Sequence, residues 1–183
     1  ITELTTGTER VWENQNLNNL LFHYFVMRML ANYELASGEW LYTEEERMKL
    51  RDKKFALFSL LFEQGDYGSF EDELAESHEM QAREYAKRQN KEKCLCHLEQ
   101  AVESAIRFIE YMRSESFVHT SLLWKQYDSP SRGVSLTERE NIATIILSRI
   151  EFPEYDSMRA DAGVVALTEK LSEYAGENDY KWM

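Results

Sequence analysis

Cys94, Cys96 and His97 are the residues of this chain whose types and spacing first suggest chemistry. On a helix, residues three apart share a face, so the Cys94 thiol and the His97 imidazole could meet one metal ion. A structural zinc site takes four ligands, usually in two pairs. The sequence holds no second cysteine pair, and His23, His78 and His119 are scattered. The expectation is therefore two buried free thiols and no metal. A catalytic Cys–His pair needs an orienting third group and a cleft, and the sequence specifies neither. His119-Thr120-Ser121 also carries reactive side chains, but its hydroxyls read as caps for a short helix over 122–126. Carboxylates are plentiful at Glu44, Glu45, Glu46, Asp72, Glu73 and Glu76. They miss the Glu-x-x-His spacing of di-metal bundles: Glu76 is too near His78, and Glu115 is one residue too far from His119. Gly65 and Gly68 lie in an acidic turn that repels phosphate. No catalytic residue, cofactor or metal is expected.

The elements that would position these groups are helical. The 183 residues include only seven glycines and two prolines, and breakers of that kind punctuate loop-rich and β-rich chains. Acids outnumber bases, 33 Asp plus Glu against 21 Lys plus Arg, for a net charge of −12. Nucleic-acid backbones require clustered cations, and the one basic-looking stretch, 83–93, is interrupted by Glu84 and Glu92. Cys94 and Cys96 are too close on a helix to bridge, which fits a reducing, cytoplasmic setting. No apolar run is long enough for a membrane span, and no signal peptide is evident.

Apolar spacing predicts a long helix over 9–36, with Leu17, Leu20, Leu21, Tyr24 and Leu35 on one face. Thr43-Glu44-Glu45-Glu46 is a capping box opening a helix to about residue 63. Gly65 to Gly68 turn the chain. Further helices are expected over 70–89 and 91–113, with Gln89-Asn90 as the break. After an irregular region over 114–135, a helix capped by Thr137 carries the stripe Ile142, Ile145, Ile146, Arg149 and Ile150 and stops at Pro153. A last helix covers about 161–175, and 176–183 form a flexible tail. The reading is one all-α domain over 1–175, built from antiparallel helical hairpins stacked as a right-handed array.

The array reading rests on Ala82, Tyr85, Cys94, Leu98 and Ala101, whose spacings of 3, 9, 4 and 3 follow from their positions. Small residues at Ala82, Cys94 and Ala101 let two helices approach to about 8–10 Å. This resembles a tetratricopeptide (TPR) repeat. In the preceding hairpin Phe58 and Phe70 stand where small residues are usual, so that unit is expected to be irregular. Longer strings occur in order: Tyr42-Thr43-Glu44-Glu45-Glu46-Arg47, the Gly-Asp-Tyr-Gly core at 65–68, His119-Thr120-Ser121-Leu122-Leu123, and Tyr155-Asp156-Ser157-Met158-Arg159. Together they resemble the TPR-like carboxy-terminal domain of bacterial Cro/repressor-type (Xre-like) helix-turn-helix transcription regulators.

That resemblance implies a module that dimerises the regulator or senses a partner, with DNA binding left to an amino-terminal module outside this chain. Repeat offsets place Asp52, Ser59, Glu63, Glu76, Glu79, Arg83 and Lys87 along an inner groove suited to a peptide or protein helix. A homodimer is expected from the apolar circumference of the first helix. The alternative is a stand-alone scaffold with no DNA-binding parent.

Overall fold

The computed structural model describes residues 42–114, 120–122 and 141–176. The expected helix over 9–36, the Thr137 position and the tail from 177 lie outside them. Every regular element among the described residues is helical. By its contacts the chain divides into two units, Ile1–Leu57 and Phe58–Met183, with the boundary inside the first helix described.

That helix, α1, spans Glu44–Leu61. Its capping box forms as the sequence requires: the Glu46 amide donates to Thr43 Oγ1 at 3.3 Å, and the Thr43 amide donates back to Glu46 Oε2 at 2.9 Å. Two donors that the helix start leaves unpaired are thereby satisfied. In the first unit Met48, Arg51 and Lys54 are the buried positions, at three-residue spacing along one face.

In the second unit α1 ends two residues earlier than the sequence suggests. Gly65 and Gly68 take φ values of +69° and +56°, a region costly for any residue with a Cβ. The turn between them is filled by aromatic rings. Phe58, Phe62, Tyr67 and Phe70 lie with centroids 5.3–6.3 Å apart, mostly edge to face. The large residues that spoil the repeat pattern thus build a cluster of their own. A 3-10 turn, Gly68–Phe70, leads into α2, Glu71–Lys87.

Gln89, at φ +54°, makes the break after α2, and Asn90 caps α3, Lys91–Arg113, by accepting from the Lys93 amide at 3.2 Å. The short connection folds α3 back along α2, and this is the most extensive helix pairing in the unit. Ala75, Ala82 and Ala86 of α2 are buried with Cys94, Leu98, Ala101 and Ala105 of α3. The repeat positions therefore sit in the core, with Tyr85 half-buried beside them. α3 is buried around much of its circumference because it also meets α4, α5 and the 68–70 turn.

The helix α4 spans Ile142–Ile150 and begins later than the sequence predicts. Its cap is Asn141. The Asn141 side chain accepts from the Ala143 amide at 2.8 Å, while its own amide group donates to the Tyr174 carbonyl at 3.0 Å. One buried asparagine thus starts α4 and ties it to the chain leaving α5. α4 ends three residues before Pro153, which opens a 3-10 turn, Pro153–Tyr155. The last helix, α5, spans Ala162–Ser172 and is capped by Asp161, which accepts from the Gly163 amide at 2.9 Å. Asp161 also pairs with Lys91 at the start of α3.

Candidate functional site

Three polar clusters in the second unit could carry function. The first lies where α2 meets the end of α4. Ala75, Glu79, Ala82 and Ala86 follow three–four spacing, so Glu79 shares the buried face of α2. Its carboxylate is fully buried. The Tyr155 hydroxyl, also fully buried, donates to the Glu79 backbone carbonyl at 3.2 Å and lies 3.3 Å from Glu79 Oε1. Arg149 reaches Glu79 at 3.4 Å and Glu76 at 2.8 Å, and Arg83 approaches Glu79 at 3.7 Å. Arg83 also lies 5.2 Å over the Phe152 ring, a cation–π contact. Burial raises the Glu79 pKa above 4.5, with Arg83 and Arg149 opposing it. Burial likewise pushes the Tyr155 phenol upward, reinforced by Glu79, so it stays protonated.

The sequence placed Glu76, Glu79, Arg83 and Lys87 along an open inner groove. In the structure the chain's own Arg149, Phe152, Glu154 and Tyr155 meet that face of α2, where Glu79 is buried, Glu76 and Arg83 are half-buried and Lys87 is exposed. Arg149 takes Glu76 and Glu79, while Lys87 pairs with Glu84 at 3.0 Å and approaches Glu154 at 4.0 Å. Glu79 is a buried anchor, not a groove wall. The repeat offset misplaces Glu79 for a physical reason: a residue three before a buried alanine lies on the same helix face. The other three groove positions are elsewhere. Asp52 is exposed on the first unit. Ser59 is exposed and bonds the Tyr67 side chain. Glu63 accepts from the Leu122 amide at 2.6 Å.

The second cluster surrounds the glycine turn. Asp66 receives the Thr120 amide, the Ser121 amide at 3.0 Å, the Thr120 hydroxyl at 3.2 Å and the Ser121 hydroxyl. Ser121 Oγ in turn accepts from the Gln64 amide at 3.2 Å. These hydroxyls serve the Gly65–Gly68 turn; residues 120–122 are not helical, and the rest of the expected 122–126 helix lies outside the described residues. Partial burial alone would raise the Asp66 pKa, but the Ser121 and Thr120 hydrogen bonds hold it below 3.8. A depressed folded-state pKa adds stability above the unfolded value, and that stability is lost as pH falls through the folded value. Asp66→Asn keeps the shape but removes the charge and one acceptor oxygen. We expect the Thr120 and Ser121 amides to exchange at least about tenfold faster in hydrogen-exchange measurements, with α3 amides unchanged. Unaltered exchange at 120–121 would show that Asp66 does not hold this segment.

Beside the turn is a cleft of about 300 Å³, lined by Tyr67, Glu71, Arg107, Glu110, Tyr111 and Ser114 together with residues 65, 66 and 68. Glu71 is buried and grips Arg107 through both oxygens, at 2.7 and 3.3 Å; Arg107 also donates to Ser104 at 3.0 Å. Burial raises the Glu71 pKa against the pull of Arg107. Asp66, Glu71 and Glu110 line the cleft with the single guanidinium of Arg107. The electrostatics of this cleft favour a cation.

The third cluster is His78 on α2 and His97 on α3, with Nδ1 atoms 3.0 Å apart. Tyr85 stacks on His97 at 5.5 Å. Cys94 is buried and its thiol is pushed up to about 11 by burial, so it is a poor nucleophile. Cys96 is exposed, contrary to the sequence expectation for both thiols. Among the described residues no group of three His, Cys, Asp or Glu is arranged to hold a metal.

Sequence reasoning missed Arg149, Tyr155 and Asp66 as structural anchors and did not connect His78 with His97. A signal for Arg149 was present: an arginine inside an otherwise isoleucine stripe has to find a buried anion. Nothing local pairs His78 with His97.

The described residues thus define an all-α scaffold, without a helix long and apolar enough to cross a membrane. Comparisons with protein-family models, with curated proteins and with solved structures find no match.

Proposed function

We propose that this chain is a partner-binding module, TPR-like in its helix pairing, that receives a basic segment of a protein in the cleft beside the Gly65–Gly68 turn. The observation that carries this reading is the cleft's charge: three carboxylates against one guanidinium, held on the Gly65–Gly68 turn, the start of α2 and the last two turns of α3. Tyr67 and Tyr111 supply flat apolar walls against which a lysine or arginine stem can lie. On the polar face of α2, Glu76 and Glu79 already pair with Arg149, and Tyr155 bonds Glu79. The sequence resemblance to Cro/repressor-type regulators supports reading such a module as the dimerising or sensing part of a bacterial transcription regulator.

The test is titration of the chain with Lys- and Arg-bearing peptides, followed by NMR. Glu110 is exposed, so Glu110→Lys alters the cleft without opening the core. We expect it to weaken binding about tenfold or more, and Lys87→Glu on the α2 face to leave it unchanged. Binding that ignores Glu110→Lys and follows Lys87→Glu would return the interface to the α2 face.

A further inference from the structure

We propose that the cleft beside the glycine turn contains a guanidinium socket at Glu71, filled by Arg107 as a displaceable internal ligand, so that the cleft selects guanidinium over ammonium groups. The inference deepens the reading of the cleft as a cation receptor and rests on it. The first support is how the three carboxylates are used. Asp66 already accepts from Thr120 and Ser121. Glu110 is exposed on α3 and lies 3.4 Å from the Tyr174 hydroxyl. Glu71 is the buried one of the three, and it opens α2, where the helix dipole favours an anion. Its two oxygens accept from Arg107 Nε and Nη2 at 2.7 and 3.3 Å. The same Nη2 donates to the hydroxyl of Ser104, also buried, at 3.0 Å. Three acceptor atoms on two buried residues thus grip one planar group. A guanidinium matches that fork, whereas an ammonium, a point charge with three rotating donors, does not.

The second support is that the occupant is held more loosely than the socket. The Arg107 side chain is 42% exposed, against 4% for Glu71. Arg107 also has another anion within reach. Glu103, one turn earlier on α3, lies 3.6 Å from its Nη1 and is itself 38% exposed. The guanidinium can therefore swing onto Glu103 without leaving that face of α3. A buried carboxylate stripped of its cation is costly, so Glu71 is not left vacant; one guanidinium replaces another. Burial raises the Glu71 pKa and Arg107 opposes it, as an incoming guanidinium would. Tyr67 and Tyr111 line the same cleft with rings on which a guanidinium plane can lie. Exchange breaks two charge-assisted hydrogen bonds to Glu71 and makes two. The resident arginine thus lowers affinity in proportion to how seldom it is away. Glu71 and Ser104 set the selectivity, and Arg107 sets the affinity.

The experiment uses the whole chain with methylguanidinium chloride as the probe and ethylammonium chloride as the control. Both are added to about 20 mM, well below denaturing concentrations. In the unmutated chain, the Arg107 Nε–H resonance should move with methylguanidinium and stay in place with ethylammonium. Arg107→Gln empties the socket. Methylguanidinium should bind that variant at least about tenfold tighter than the unmutated chain and raise its thermal midpoint, and ethylammonium should do neither. Adding Glu71→Gln to Arg107→Gln removes the buried anion and should abolish the response. An Arg107 signal unmoved by methylguanidinium, equal responses to the two cations, or a response that persists in the double variant would overturn the proposal. The Arg107 signal is read in the unmutated chain, so it decides the matter even where Arg107→Gln does not fold. Methylguanidinium capture by a chain that binds no Lys- or Arg-bearing peptide would remove the peptide reading and uphold the socket. Peptide binding with an unmoved Arg107 signal would do the reverse.

Discussion

Tyr155→Ala will destabilise this protein by about 3–5 kcal/mol, the range for deleting a buried aromatic ring. Tyr155 has no exposed surface, and its ring belongs to the core formed by α2, α3, α4 and α5. Alanine leaves a ring-sized cavity between α2 and the Pro153–Tyr155 turn. It also strips a donor from the Glu79 carbonyl. Domains of this size are typically stable by about 5–15 kcal/mol, so the loss is a large share of the total. Urea unfolding reads it as a lowered midpoint with an unchanged slope. Tyr155→Phe separates the two causes. It keeps the ring and removes only the hydroxyl, and it should cost about 1–3 kcal/mol. If the alanine variant cost no more than the phenylalanine variant, the ring would contribute nothing and the packing account would be wrong.

Arg149→Met will cost about 3 kcal/mol at neutral pH, and the defect will depend on pH. Arg149 is the cation shared by Glu76 and Glu79, and Glu79 is the member with no access to water. Methionine matches the length and the apolar stem but leaves the Glu79 charge with only Arg83, at 3.7 Å. Burial already raises the Glu79 pKa in the folded state, and losing Arg149 raises it further. An acid whose folded pKa lies above its unfolded value favours folding most when protonated, and that contribution is lost as pH rises through the folded value. The gap between variant and parent should therefore be widest above neutrality. It should narrow as pH falls toward the ordinary Glu value of 4.5. Adding Glu79→Gln to Arg149→Met removes the stranded charge and should recover much of the loss. A defect constant with pH, or one that the double variant does not relieve, would show that Glu79 is not the group left uncompensated.

Both predictions concern the same polar knot, and together they bear on how the module works. Glu79, Arg149 and Tyr155 lock the end of α4 and the following turn onto α2. Residues coupled through one buried carboxylate should be non-additive. If the cleft at Tyr67, Glu71 and Arg107 binds a partner as proposed, a rigid α2–α3 pair favours that binding, because ordering a surface beforehand reduces the entropy lost on association.

Much of this architecture could be read from local chemistry. The Thr43–Glu46 box, the glycine turn, the Asn90 break and the limits of α3 are short-range features, decided by hydrogen bonds within four residues or by a backbone angle that glycine tolerates. The buried pattern Ala82, Cys94, Leu98 and Ala101 was legible because helical periodicity places small residues on one seam. The start of α4 was not. Asn141, which caps α4, also bonds the Tyr174 carbonyl 33 residues away, a contact no local pattern records.

The site was legible in its residue types and obscure in its partners. Charge and composition argued for binding over catalysis, and the same residues, Glu76, Glu79, Arg83 and Lys87, drew attention along α2. Whether that face was open depended on Arg149 and Tyr155, more than 60 residues further on, folding over it. Asp66 likewise looked like an ordinary turn acid until residues 120–122 came to rest on it. Side-chain type and spacing fix which helix face a group occupies, whereas what covers that face is set by long-range packing, which no local pattern records.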